Sequence, residues 1–250
     1  MTHISSRKNS EIQRLRRLLD DGGFRRCEGA FVCQGSVMLE EAVRSGMEIE
    51  RVYCLESQLH FVPEGMPCVT VTPEIIEVIS GVESASGLVF TCRIPQNRAL
   101  SGNRFIALED VRDPGNVGTV IRTADALGID GVIMLGSCAD CFAPKVVRST
   151  MGSLFRMPLH FCTVEQLREY CTQQGISLIA AELNDTACRL GETPLASPCC
   201  VMIGNEARGL SEAAVKSADR SYIIPMQGAE SLNAAVAASL FMWEMTRDGV

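Results

Sequence analysis

The sequence predicts an α/β protein in two units: a small amino-terminal unit and a larger one built on a largely parallel sheet. Three observations lead there. With 46% hydrophobic and 21% charged residues over 250 positions, the chain has the apolar content of a folded protein and the length for a sizeable core. Its second half alternates near-continuous apolar runs with helical segments, the pattern of strands covered by helices on both faces. Between the halves, Arg93–Asn103 collects Pro95, Asn97, Ser101, Gly102 and Asn103, a linker composition. The predicted division is 1–95, a linker at 96–102, and 103–250.

In the first unit, Ile12, Leu15, Leu18 and Leu19 recur at helical spacing between basic residues, so the first 27 residues predict a helix. A strand at Ala30–Cys33, a helix at Ser36–Ser45 stopped by Gly46, and a strand at Ile49–Leu55 follow. Val69–Val71, a helix at Pro73–Ser80 and a strand at Leu88–Cys92 complete the unit. In the second unit the strand candidates are Phe105–Leu108, Gly131–Leu135, Ser177–Ala181, Cys200–Ile203 and Tyr222–Ile224. The helices between them are Val117–Leu127, Pro144–Met151, Val164–Gln174 and Ser211–Lys216. A last helix, Leu232–Thr246, is alanine-rich and apolar nearly all round, which implies burial in the core or against another subunit.

Composition excludes several classes. The longest nearly uncharged apolar stretch, Leu232–Trp243, is about a dozen residues, short of the roughly 20 a bilayer needs. The net charge of −7 argues against indiscriminate binding to nucleic acid. Its distribution is uneven. Residues 1–26 carry Arg7, Lys8, Arg14, Arg16, Arg17, Arg25 and Arg26 against Glu11, Asp20 and Asp21, a local +4 that leaves −11 elsewhere. A basic face on an acidic protein suits a polyanion partner, although a solvated helix face has the same composition. Those acids weaken the alternative of a transit peptide. The twelve cysteines follow no secretory signal and are expected to be reduced thiols of a cytoplasmic protein. Cys138 and Cys141 form the one CxxC, without a second pair at zinc spacing, and the three histidines are scattered. No metal is expected.

Three segments at predicted strand ends carry the chemistry, where parallel sheets bind ligands. The first is Asp110-Val-Arg-Asp-Pro-Gly-Asn-Val-Gly118, in which Pro114, Gly115 and Gly118 shape a turn, Asn116 offers a carboxamide and Arg122 a guanidinium suited to phosphate. The second is Met202-Ile-Gly-Asn-Glu-Ala-Arg-Gly-Leu-Ser211, whose glycines allow close approach to a ligand. No GxGxxG occurs, so dinucleotide binding of that type is disfavoured. The third is Ile224-Pro-Met-Gln-Gly-Ala-Glu-Ser-Leu-Asn233, leading into the last helix. Capping explains Asn116, Ser231 or Asn233 singly; it does not explain three such loops on one sheet.

At these segments the sequence resembles the SpoU (TrmH-like) family of S-adenosylmethionine-dependent RNA ribose 2′-O-methyltransferases, within the SPOUT superfamily. Asp113–Ala124 is similar to its first motif, Ile203–Ser211 to its second and Ile224–Ala237 to its third. Gly29-Ala-Phe-Val-Cys-Gln-Gly35 and Ile79–Gly87 resemble the family's L30e-like substrate-binding domain. Gln34, Ala207 and Ala235 depart from residues common in the family. The resemblance implies a trefoil-knotted methyltransferase domain, an L30e-like amino-terminal domain and a homodimer, although ordinary topological rules would argue against a knot. It makes Arg122 the catalytic candidate, with Asn116, Glu206, Ser231 and Asn233 around it. The cofactor S-adenosylmethionine falls to Gly204, Ile224, Leu232 and Asn233. RNA falls to Arg122 and, by charge, to Arg14, Arg16 and Arg17. Because a guanidinium has a pKa above about 12, Arg122 is assigned to gripping phosphate and favouring the developing alkoxide, not to removing a proton. Ribosomal RNA is the expected substrate, since an L30e-like domain suits structured RNA. Transfer RNA, a non-catalytic RNA-binding protein and another nucleotide-binding enzyme are the alternatives.

Overall fold

A computed structural model describes residues 2–81, 86–95, 100–184, 186–228 and 231–247. Positions 82–85 of the Ile79–Gly87 motif, 96–99 of the expected linker and 229–230 of the third segment lie outside the described residues. The chain forms two compact units, Met1–Gln96 with Asp140–Phe155, and Asn97–Ala139 with Arg156–Val250.

The first unit opens with a short strand, β1 (Thr2–Ile4), followed by α1 (Ser10–Asp20) and α2 (Gly22–Glu28). Sequence periodicity suggested one helix here; the structure has two. Asp21 is extended and accepts a hydrogen bond from Phe24 N at 3.0 Å, so it caps a new helix rather than continuing the first. The unit continues through β2 (Ala30–Gln34), α3 (Ser36–Arg44), β3 (Ile49–Cys54), β4 (Cys68–Val71), α4 (Pro73–Ser80) and β5 (Leu88–Arg93). Its sheet runs β1-β4-β3-β5-β2, with β1, β4 and β3 parallel and β5 antiparallel to both its neighbours. Ile12, Leu15 and Leu18 of α1 and Ile75, Ile76 and Ile79 of α4 pack with Val32, Tyr53 and Val69 into one core.

The second unit contains β6 (Arg104–Glu109), α5 (Pro114–Ala126) and β7 (Gly131–Leu135). The chain then gives Asp140–Phe155, with α6 (Pro144–Ser149), to the first unit. There Phe142 lies 5.1 Å from the Phe31 ring, and the buried Arg25 holds Asp140 at 2.8 Å. The second unit resumes with β8 (Leu159–Cys162), α7 (Val164–Gln174), β9 (Ser177–Ala181), β10 (Cys188–Arg189), β11 (Cys199–Ile203), α8 (Glu212–Ser217), β12 (Arg220–Ile223) and α9 (Ala234–Thr246). All seven strands are parallel, in the order β10-β12-β9-β11-β6-β7-β8. The sequence missed β1, β8 and β10. Each is two to four residues long and lies at or next to a sheet edge, so long-range pairing, not local pattern, defines it.

The topology positions a site. The chain runs outward from β6 through β7 to β8, then crosses to the other side to lay down β9, β11 and β12. The strand order reverses between β6 and β11, and their carboxyl ends lie side by side there. Helix α9 packs on α5, β6 and β11, burying Ala234, Ala235, Ala238, Phe241 and Met242. Its other side exposes Val236, Leu240 and Trp243. Among the described residues no helix is long and apolar enough to cross a membrane.

Candidate active site

A cleft of about 500 Å³ opens at the carboxyl ends of the neighbouring strands β9, β11 and β12. That is within the roughly 300–1,000 Å³ of small-molecule sites. Glu182 and Leu183 follow β9, Gly204 to Leu210 follow β11, and Ile224 and Met226 follow β12; Ala234, Ala237 and Phe241 of α9 also line it. Of the four residues assigned to the cofactor from sequence, Gly204, Ile224 and Leu232 line this cleft, as do Glu206 and Ser231; Asn233 does not. None of Gly204, Ile224 and Leu232 makes a backbone hydrogen bond in a turn or cap among the described residues. At Gly204 a Cβ would meet the backbone of Gly209 and Leu210 at 2.1–2.4 Å. Only glycine fits there. A slot lined by apolar side chains and backbone suits an adenosine-bearing cofactor.

The loop after β11 is shaped by Asn205. Its backbone exchanges two hydrogen bonds with Gly209, at 3.0 and 2.9 Å, and its Oδ1 accepts from Ala207 N and Arg208 N. Its Nδ2 donates to the carbonyl of Asp110 at 2.9 Å, tying this loop to the end of β6. Asp110 has a left-handed backbone, φ 54°, and its Oδ1 accepts from Ser137 N. Directly before it, the buried Glu109 accepts from Ser211 N and Ser211 Oγ, both at 2.7 Å.

A chain of polar side chains joins the three sequence segments. Asp113 caps α5 by accepting from Asn116 N, with Pro114 in the first turn. Asn116 Nδ2 donates to Glu206 Oε1 at 2.7 Å, and Asn116 Oδ1 accepts from Asn233 Nδ2 at 2.9 Å. Asn233 Oδ1 in turn caps α9, accepting from Ala235 N and Val236 N. Both carboxamides are therefore oriented by partners at each end. Arg122 stands apart from this cluster. It is exposed on α5, does not line the cleft, and has no ion pair or hydrogen bond among the described residues.

In the first unit the three expected RNA-binding arginines differ. Arg14 is held between Glu28 at 2.7 Å and Glu50 at 3.1 Å, and the Arg17 guanidinium lies 3.7 Å above the Phe24 ring. Arg16 is exposed and unpaired among the described residues. Cys138 of the CxxC donates to the carbonyls of Leu108 and Leu135, and burial pushes its thiol up to about 11. It is a protonated structural thiol at neutral pH. No cluster of three His, Cys, Asp or Glu side chains able to hold a metal occurs among the described residues.

Sequence reasoning missed Glu109, Glu182 and Leu183, and placed Asp110 in the first segment without giving it a role. One signal was present for Glu109: an acid closing an otherwise apolar strand immediately before the first motif. For Glu182 and Leu183 no local signal exists, because their place beside β11 depends on strand order.

A profile described as the SpoU rRNA Methylase family matches residues 103–243. The chain is 28% identical to the Bacillus subtilis 23S rRNA (guanosine(2553)-2′-O)-methyltransferase RlmP, over 98% of this chain and 99% of that protein. It is 33% identical to the Escherichia coli tRNA (guanosine(18)-2′-O)-methyltransferase over 57% of this chain and 62% of that one. The crystal structure of an AdoMet-bound rRNA methyltransferase from Sinorhizobium meliloti superposes with a TM-score of 0.89 at 27% identity, covering 100% of this chain and 98% of that one. Two motif segments lining one cleft and a third tied to them through Asn116, in a chain whose residues 103–243 match the family profile, place this protein in the SpoU rRNA methylase family.

Proposed function

We propose that this protein methylates a ribose 2′-oxygen of RNA, with S-adenosylmethionine as methyl donor and ribosomal RNA as substrate class. The carrying observation is the relay Asn233–Asn116–Glu206, which locks the three motif loops together beside a cleft lined by backbone. Gly204, Ile224 and Leu232 hold the cofactor through main-chain groups, with Asn233 fixing the start of α9 beside them. When bound, S-adenosylmethionine supplies a methyl group on a positively charged sulfur that departs as a neutral thioether.

The chain's own residues must then orient a weakly acidic hydroxyl and favour charge on its oxygen. Ser231 is exposed at the cleft and Glu206 is fixed there by Asn116, so both are suited to aligning the 2′-hydroxyl. Arg122, the one cation of α5, grips a neighbouring phosphate and favours the alkoxide electrostatically. We also infer that a second copy packs on the last helix. The stripe Val236, Leu240 and Trp243 repeats at helical spacing on α9 and is 40–54% exposed, an apolar face suited to a homodimer.

Ribosomal RNA is favoured over transfer RNA because the likeness to the 23S rRNA enzyme runs through the first unit, whereas the tRNA enzyme aligns over little more than half the chain. The same reading gives residues 1–95 an L30e-like, RNA-binding role in which Arg16 takes part, 96–102 the role of linker, and 103–250 a trefoil-knotted methyltransferase domain in a cytoplasmic protein. Mapping 2′-O-methyl positions in total RNA, with and without the protein, tests the function. New ribosomal positions are expected; cofactor binding without methyl transfer to any RNA would favour the non-catalytic RNA-binding alternative.

A further inference from the structure

We propose that Glu109 is a positioning residue for the cofactor, holding the loop Gly204–Leu210 where it forms one wall of the cleft; this rests on the S-adenosylmethionine reading above. Glu109 is 8% exposed and has no ion-pair partner among the described residues. A buried carboxylate without a cation is costly, and an apolar residue would end β6 more stably. What the carboxylate does hold is Ser211, through both its N–H and its hydroxyl.

Ser211 closes the loop that Gly204 opens. The loop's other end is tied to the residue that directly follows β6, since Asn205 Nδ2 donates to the Asp110 carbonyl. Consecutive residues at the end of β6 therefore clamp both ends of one cleft wall. Between the clamps the loop is closed by the Asn205–Gly209 pair, and the Gly209–Leu210 backbone presses on Gly204 with no room for a Cβ. Releasing Ser211 frees Leu210 and Gly209, and with them the wall beside Gly204. Such a release lowers the fraction of molecules with a binding-competent loop and weakens affinity in proportion.

The test is calorimetric titration of S-adenosylmethionine into the full chain, without RNA, for wild type, Glu109→Ala, Glu109→Gln, Glu109→Leu and Thr163→Ala. Hydrogen exchange of the unliganded proteins and single-turnover methylation at saturating cofactor accompany it. Glu109→Ala should raise Kd by about tenfold or more, the scale of losing charge-assisted hydrogen bonds. Its turnover at saturating cofactor should stay close to wild type, and the amides of Ala207–Ser211 should exchange faster. Glu109→Gln, which still accepts from Ser211 N, should bind within about threefold of wild type. Thr163→Ala removes the capping box of α7 in the same unit and should lower Tm without altering Kd. If Glu109→Ala does not fold, Glu109→Leu, which also removes both contacts to Ser211 and leaves no buried carboxylate, carries the same expectation. Wild-type affinity and exchange in Glu109→Ala or its substitute, or equal weakening in Thr163→Ala, overturns the inference alone. Absence of binding by the wild type overturns the functional reading and the inference with it.

Discussion

Asn116 has a single carboxamide and uses both ends of it, donating to Glu206 and accepting from Asn233, so one side chain links loops 90 and 117 positions away. Arg122 has no such ties, and that difference separates their roles. Arg122→Ala should fold and bind S-adenosylmethionine normally, since Arg122 does not line the cleft. Single-turnover methyl transfer should fall by at least about a hundredfold, the scale of losing one aligned transition-state group. Arg122→Lys should not restore it, because a lysine lacks the planar fork; near-normal transfer by Arg122→Ala would make the residue structural. Gly204 is decided by space. The Cβ of Gly204→Ala would collide with backbone, so the loop must shift, at a cost of about 1–3 kcal/mol. A cofactor titration should then show binding largely lost, whereas wild-type affinity would remove Gly204 from the site.

At the scale of elements, α1 shows how one helix divides its charges. Ile12, Leu15 and Leu18 face the core, and Arg14 lies close enough to that face to meet Glu28 and Glu50. Arg16 points to solvent. Arg14→Ala should therefore lower stability by about 1 kcal/mol, the worth of a partly exposed ion-pair network, with little effect on RNA binding. Arg16→Ala should leave Tm unchanged and reduce the salt slope of RNA binding by about one. Thermal melts and binding titrations across salt concentrations would distinguish the two; a slope lost with Arg14 instead would reverse the assignment. The last helix divides in another way. Its alanines and Phe241 are buried within the unit, while Val236, Leu240 and Trp243 remain outside it.

At the scale of the whole molecule, that outward stripe bears on assembly. Trp243→Glu puts a charge at the largest exposed apolar side chain of α9 and should convert the proposed homodimer to a monomer, because a desolvated unpaired charge opposes association. Sedimentation velocity on wild type and variant would show it, and an unchanged dimer in Trp243→Glu would place the interface elsewhere. Charge is likewise a property of the whole. A chain of net −7 can still serve an RNA partner when its cations are gathered locally, as they are over the first 26 residues.

The sequence by itself determined the elements whose pattern is local and long. The helices Pro73–Ser80 and Val164–Gln174 and the strands Gly131–Leu135 and Ser177–Ala181 lie where periodicity puts them, since apolar spacing, caps and terminal glycines act within a few residues. The motif residues Asn116, Glu206 and Asn233 were legible too, as polar and glycine-bearing loops following apolar strands. The split at Asp21 was not, because a capping side chain and a helical one share the same residue types until the backbone chooses. The short strands β1, β8 and β10 were decided by partners elsewhere in the chain. So was the cleft, which exists because β9, β11 and β12 become neighbours although the sequence separates them by a helix or a long connection. The Glu109–Ser211 clamp spans 102 residues. No local pattern encodes it, because a buried carboxylate acquires its meaning from the donor that the fold brings to it.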